Sequence, residues 1–182
     1  MEEYAYILDY LPHGHPESRK FKKEAIAYAV GETEFKLFEL IPKPEVGLIV
    51  GDRVYIGKNV GEREHIQHVK KRVRYDELTS AAQSELPYVL EEIVRNKEER
   101  FVEFFNTAMP VTTKFHMLEL LPGLGKKTMW TIIEERKREP FKSFEDIKAR
   151  VPALHHPEKL IVERILKELS EPEQKYHLFV AK

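Results

Sequence analysis

Residues Leu118 to Lys127 read LELLPGLGKK, and the way this stretch folds decides how the second half of the chain is read. Pro122 and Gly123 stop any helix that precedes them. Gly123 and Gly125 bracket Leu124, so the backbone can reverse through angles that a β-carbon forbids. Leu124 is then placed to plug the turn into a core. Upstream, Thr112 or Thr113 can cap a helix whose apolar positions Phe115, Leu118 and Leu121 recur at helical spacing. Downstream, Lys126 opens a second helix with Met129, Ile132, Ile133 and Arg136 as its periodic face. The free N–H groups of its first turn point out of the hairpin and, with the helix dipole, make an anion site. Lys126 and Lys127 stand in that turn, where a cation opposes the dipole, a placement that makes sense if an anion binds there. An ordinary helical corner with solvated lysines is the plainer alternative.

Leu121, Pro122, Gly123, Leu124 and Gly125 match the Leu-Pro-Gly-apolar-Gly turn of helix-hairpin-helix modules, which the chain resembles here. Met129 departs from the pattern, filling a position that is often small in those modules. The resemblance implies binding of DNA, and sometimes RNA, through the sugar-phosphate backbone. Gly123, Leu124, Gly125, Lys126, Lys127 and Thr128 are the candidate contacts. The module often comes in pairs, and residues 140–169, PFKSFEDIKARVPALHHPEKLIVERILKEL, read as a degenerate second copy. Ser143 and Asp146 give a capping signal, Val151-Pro152-Ala153-Leu154 replaces Leu121-Pro122-Gly123-Leu124, and Pro157 suits the first turn of a last helix. His155 and His156 stand where the second glycine belongs, so this copy is expected to pack more than bind.

Composition excludes several classes. With 182 residues, 42% hydrophobic and 10% aromatic, the chain can build a core without staples, and its lack of cysteine rules out disulfides, thiolate metal sites and cysteine nucleophiles. No apolar run approaches the roughly 18 residues of a membrane span. MEEYAYILDY lacks a basic signal region, and a cytoplasmic location is expected. The net charge of −1 argues against an indiscriminate nucleic-acid coat. Its distribution matters more: residues 1–75 carry 13 basic and 12 acidic side chains, 76–111 carry 3 and 8, and 112–182 carry 14 and 11. The acid is concentrated in the middle.

Tyr4 to Leu11 reads as a strand with Tyr4, Tyr6, Leu8 and Tyr10 on one face. After PHGHPESRKFKK, a polar loop whose basic end is Arg19, Lys20, Lys22 and Lys23, AIAYAV and EFKLFELI form a hairpin. Gly51-Asp52 introduces a fourth strand at Arg53 to Ile56. Val69, Lys71, Val73 and Tyr75 alternate as a fifth strand that closes the barrel, although Ile66, Val69 and Val73 also fit a helix. The expected fold class is α+β: an OB-like antiparallel β-barrel over 1–75, a helical connector over 76–111 and a double helix-hairpin-helix domain over 112–182. In the connector, Pro87 starts one helix and Asn96 stops it. Lys70, Lys71, Arg72 and Arg74 make a basic barrel face that can follow a phosphate backbone, or else a charged edge that prevents aggregation.

Other chemistry is thin. His13 and His15 can share a metal ion if Asp9 or another carboxylate joins them, yet three ligands cannot be named, and no metal or cofactor is expected. Nucleotide loops, a nucleophile elbow and an acidic metal quartet are all missing, so no catalytic residues are assigned. Trp130 falls off the apolar stripe of its helix, with docking on the connector the commoner fate and base stacking the other. Taken whole, YAYILDYLPHGH, ELIPKPEVGLIVGDRVYIG, RYDELTSAAQSELPYVLEEIV, RFVEFFNTA and LELLPGLGKK resemble an archaeal family of uncharacterised proteins described as predicted RNA- or nucleic-acid-binding. The expectation is a non-catalytic binder of nucleic acid, RNA ahead of DNA. An adaptor docking on a ribosomal or transcription partner is the alternative, and a metal-dependent nuclease a third.

Overall fold

Aromatic and β-branched residues place β1 at Tyr4–Leu11, β2 at Ile26–Gly31, β3 at Leu37–Pro42, β4 at Arg53–Tyr55 and β5 at Ile66–Val73. In this computed structural model, which describes residues 1–17 and 24–182, they form one antiparallel sheet in the order β4-β1-β2-β3-β5. Arg19, Lys20, Lys22 and Lys23 lie outside the described residues. The sheet curls around Ala5, Ile7, Ala27, Ala29, Leu40, Val54, Ile56 and Ile66, so that small side chains on β1 and β2 let the concave face tighten. It is a half-barrel.

Two expectations about this sheet are corrected. The fifth strand exists but closes nothing, because β5 pairs with β3, β4 pairs with β1, and β4 and β5 do not pair with each other. Arg63 stands in the gap, donating to the carbonyls of Gly57 (2.9 Å), Gln67 (3.3 Å) and Ile56 (3.4 Å), which gives both strand edges a shared partner. The second correction concerns β1. A bulge at Leu8 shifts the register between Ile7 and Asp9, so Tyr10 turns inward with Ala27 while Asp9 turns outward with Tyr28. Tyr10 therefore leaves the face of Tyr4 and Tyr6 and donates its hydroxyl to Val46 O at 3.0 Å.

Thr79 caps α1 (Ser80–Asn96), accepting the Ala82 N–H at 3.1 Å. Pro87 lies inside this helix rather than at its start. The bond it cannot make is outweighed by the cap and by buried Ala82, Leu86, Val89 and Leu90 on either side. Asn96 ends α1 as expected, and α2 spans Glu98–Thr107. Then come a short hairpin of β6 (Pro110–Thr112) and β7 (Phe115–His116), a single 3-10 turn at Met117–Leu120, and α3 (Lys126–Arg138), α4 (Phe144–Arg150) and α5 (Pro157–Ser170). Among the described residues no helix is long and apolar enough to cross a membrane.

The chain divides into two compact units, Met1–Val89 with Lys167–Lys182 and Leu90–Leu166. The C-terminal segment explains why residues 167–182 group with the first unit. Glu168 accepts the N–H groups of Leu178, Phe179 and Val180 at 2.9, 3.1 and 3.0 Å. The Ala181 N–H then donates to Glu34 O at 3.1 Å, and Arg72 donates to Ala181 O at 2.8 Å. Residues 167–182 thus belong with the sheet.

Within the second unit, Arg150 fixes the corner between α3 and α4. Its guanidinium donates to Glu139 O at 2.6 Å and to Asp146 Oδ2 at 3.2 Å, reaches Glu135, and lies 4.5 Å over the Phe141 ring. It supplies the donors that the last carbonyls of α3 lack. Arg150→Ala is expected to destabilise the protein by about 2–3 kcal/mol, and Arg150→Lys to recover little of it, because one ammonium cannot reproduce the fork. Urea unfolding of the three proteins checks this; a change below about 0.5 kcal/mol on Arg150→Ala would remove the corner from the account.

Candidate functional site

The stretch that opens the sequence reading folds differently on its two sides. No helix runs from Thr112 to Leu121. Thr112 instead pairs with Phe115 across the β6–β7 hairpin, and its hydroxyl accepts the Lys114 N–H at 3.2 Å, a turn bond in place of a helix cap. The β-branched run Val111, Thr112 and Thr113 favours this, and the five residues between His116 and Pro122 are too few to nucleate a helix. What remains is one 3-10 turn, closed by His116. The His116 Nδ1 accepts the Leu118 N–H at 3.0 Å, while the His116 N–H donates to Glu119 Oε2 at 2.8 Å.

The turn that follows matches the expectation. Gly123 has φ +80°, a conformation that needs glycine, Leu124 is buried, and the Leu124 N–H donates to Leu121 O at 3.2 Å. Gly125 is another matter. Its φ of −86° suits any residue, and a β-carbon there would meet nothing within 4 Å. As the residue before α3 it has no side chain to cap with, so the first-turn N–H groups of Lys126, Lys127 and Thr128 go without a side-chain cap.

The two lysines of this turn part company. Lys126 Nζ lies 2.9 Å from Glu119 Oε1 and 3.4 Å from Lys114 O, so its charge is already answered. The bond from Lys126, and after it the His116 N–H, hold the Glu119 carboxyl below the usual carboxylate range. Lys127 is exposed and has no carboxylate at ion-pair distance among the described residues. Trp130, three residues on and so on the same face, is 58% exposed, which corrects the expectation that it docks on the connector. Met129, Ile132 and Ile133 fill the buried face and leave it outside.

The barrel-face cations are also largely answered where they stand. Lys71 lies 3.4 Å from Glu77, and Arg74 lies 3.1 Å from Asp76 and 3.5 Å from Glu77. The Arg74 N–H first, then the charges of Arg74 and Lys71, hold the Glu77 carboxyl low. Lys70 sits in a bulge of β5, its Nζ 3.9 Å from Glu39. Glu39 belongs to a buried polar row in which Tyr28 lies 3.5 Å from it and His15 Nε2 lies 2.8 Å from the Tyr28 hydroxyl. Burial, and then the Glu39 charge, push Tyr28 up to about 12. His15 is thus engaged with the sheet, and among the described residues no three His, Asp or Glu side chains gather as a metal site. Of the four cations only Arg72 bonds to a carbonyl rather than an acid.

The family described as "Protein of unknown function (DUF655)" matches residues 1–181. The chain belongs to this family. An uncharacterized DUF655 relative, MJ0038 of Methanocaldococcus jannaschii, is 49% identical over 180 residues, spanning 98% of this chain and 80% of that protein. The crystal structure of Af1531 from Archaeoglobus fulgidus, also in DUF655, is 51% identical and superposes with a TM-score of 0.92, covering 99% of this chain and all of that one. The half-barrel and its helices are therefore a fold that this archaeal family shares.

His116 gives the turn a pH dependence. Burial, and next the charge of Arg136, lower its pKa below the usual histidine value, so the neutral ring is the folded form, with Nδ1 accepting. A group depressed in the folded state binds protons more weakly there than in the unfolded chain. Its contribution is whole above about pH 6.5 and declines as pH falls from there through the folded pKa. His116→Asn keeps an acceptor for the Leu118 N–H and is expected to lessen the loss of stability between pH 7.5 and 5.5. Urea midpoints of both proteins at the two pH values test it, and equal losses would count against it.

Proposed function

We propose that this DUF655 protein is a non-catalytic nucleic-acid-binding protein, RNA ahead of DNA, that grips a phosphate backbone at the start of α3. One observation carries the reading: α3 begins with no side-chain cap, at a glycine whose β-carbon side is empty, beside a lysine without an acidic partner. Three outward N–H groups, the positive end of a helix of 13 residues and Lys127 form a receptor for one phosphate group. Trp130 on the same face offers a ring to a neighbouring base or sugar. In this reading Pro122 to Thr128 is a helix-hairpin-helix clamp whose first helix has shrunk to a single turn. Lys126 then positions Glu119 and the turn rather than touching phosphate, and Gly123 and Leu124 shape the loop.

The sheet adds less than its sequence suggests. Lys70, Lys71 and Arg74 have carboxylates within 4 Å, so a phosphate approaching them must displace a counter-charge already present. Arg72 keeps its charge uncompensated. A backbone clamp of so few contacts implies non-specific dissociation constants of about 10⁻⁴ to 10⁻⁶ M, weakened by salt. The adaptor reading draws on the exposed Met109 and Trp130 of the same unit, which a protein partner would cover.

The test is a salt titration of binding to single-stranded RNA, duplex RNA and DNA by wild type, Gly125→Val and Lys127→Glu. At Gly125 a β-carbon meets nothing within 4 Å and the φ of −86° suits any residue, so Gly125→Val should fold and lose binding by obstructing the phosphate. Lys127→Glu should weaken binding on every sequence and flatten the salt slope by about one contact. Binding that survives both substitutions would move the interface elsewhere. If wild type binds none of the three at low salt, the adaptor reading takes over.

A further inference from the structure

The gap between β4 and β5 is more than an absence of pairing. A groove of about 540 Å³ lies there, within the sheet unit, and its floor is Phe38, Ile56 and Val69. This volume falls within the range of small-ligand sites. Four cations, Lys36, Lys58, Arg63 and Arg72, line it together with two carboxylates, Glu2 and Glu34. Among the described residues only one of the carboxylates is ion-paired: Glu34 meets both Lys36 and the Met1 ammonium, whereas Glu2 is buried, takes backbone N–H groups on one oxygen and leaves Oε2 without a hydrogen-bond partner. Glu34 lies 3.2 Å from Lys36, and Glu2 accepts the N–H groups of Thr33 and Glu34 at 3.0 and 2.9 Å. Arg63 and Arg72 bond to backbone carbonyls, which orient a guanidinium without cancelling its charge, and Lys58 has no acidic partner among the described residues. Lys58, Arg63 and Arg72, none of them paired with an acid among the described residues, therefore outnumber the one unpaired carboxylate, Glu2, around an apolar floor with an aromatic ring in it.

Such a groove suits a ligand that is flat and apolar in the middle and anionic at its ends. A peptide strand adding to the open edges suits it poorly. Arg63 already bonds the carbonyls of Ile56, Gly57 and Gln67 that such a strand would need, and the bulge at Lys70 breaks the edge of β5. Duplex nucleic acid cannot reach the floor either, because its bases are stacked inside the helix. We infer that the β4–β5 groove holds an unpaired nucleotide of a single strand, its base against Phe38, Ile56 and Val69 and its flanking phosphates on Lys58 and Arg72. The inference rests on the nucleic-acid reading above and adds to it a preference for unpaired strands, read by a surface separate from the start of α3.

The experiment compares a short fluorescein-labelled single-stranded RNA with a blunt duplex of the same sequence, using the full chain as wild type, Lys58→Glu, Arg72→Gln and Lys127→Glu. Lys58 is exposed and bears no structural bond, so its variant should fold as wild type does; Arg72→Gln also loosens Ala181 and is secondary. Wild type should bind the single strand more tightly, and Lys58→Glu should weaken that binding about fivefold to tenfold while leaving the duplex unchanged. Lys127→Glu should weaken both. A strand carrying 2-aminopurine should change fluorescence on binding to wild type and less with Phe38→Leu. If the hairpin variant alone loses binding and Lys58→Glu binds both RNAs as wild type does, the groove inference falls and the nucleic-acid reading stands. If wild type binds neither RNA, both fall together.

Discussion

A backbone amide or carbonyl stranded where a strand or helix stops must find a partner or meet water, and this protein answers that constraint with side chains reached over long stretches of chain. Arg63 bonds three carbonyls at the two open edges of the half-barrel. Arg150 bonds those at the end of α3, Glu2 takes two N–H groups in the β2–β3 turn, and Glu168 takes three in the C-terminal segment. Gly31 shows how tightly one of these is built in: a β-carbon there would fall 1.3 Å from the Glu2 carboxylate, so the glycine exists to admit the acid. α2 also starts without a side-chain cap but carries Glu98 and Glu99 in its first turn, whereas α3 starts at a glycine with neither a cap nor an acid in its first turn.

The two turn modules of the second unit sharpen this. Leu124 N–H to Leu121 O, at 3.2 Å, has its counterpart in Leu154 N–H to Val151 O, at 2.9 Å, so a turn closed over three residues occurs at both places, each with a buried leucine behind it. The two turns differ on the outer side. Ala153 keeps a negative φ where Gly123 is at +80°, and His155 and His156 add a residue before α5. Both turns bury a leucine, while only the first is followed by a bare glycine at the helix start. A purely structural role for the turn would need Gly123 but has no use for the missing side chain at Gly125.

How much of this could be read in advance follows from how far each signal reaches. Strand positions were legible because alternation and β-branching act within a few residues, and the Ser143–Asp146 cap and the Pro157 helix start were legible for the same reason. The bulge at Leu8 was not, since it depends on which residue of β2 lies opposite. The missing helix before Leu121 was misread because Phe115, Leu118 and Leu121 do share a helical spacing, yet the threonines ahead of them found a closer bond in a turn. For the candidate site, the glycines and lysines were visible but their partners were not. Arg74 with Asp76 and Glu77 could have been suspected from their nearness in sequence. The roles of Arg63 and Arg150 could not, because their acceptors are mostly carbonyls, which every residue carries.

A count of basic residues therefore misleads here, and the distinction that matters is between charges that have a carboxylate at hand and charges that do not. A lysine 3 Å from a glutamate has its counterion built in and releases little when a phosphate replaces it, so it contributes little to salt-dependent binding. By that measure Lys71, Arg74 and Lys126 are structural, whereas Lys127 in one unit and Lys58, Arg63 and Arg72 in the other hold positive potential available to a ligand. With a net charge of −1 there is no overall field to draw a polyanion in. Attraction must be local, arising at small sites where acid has been kept away. On the proposed reading, the acidic run through 76–111 has the complementary effect of discouraging a polyanion there.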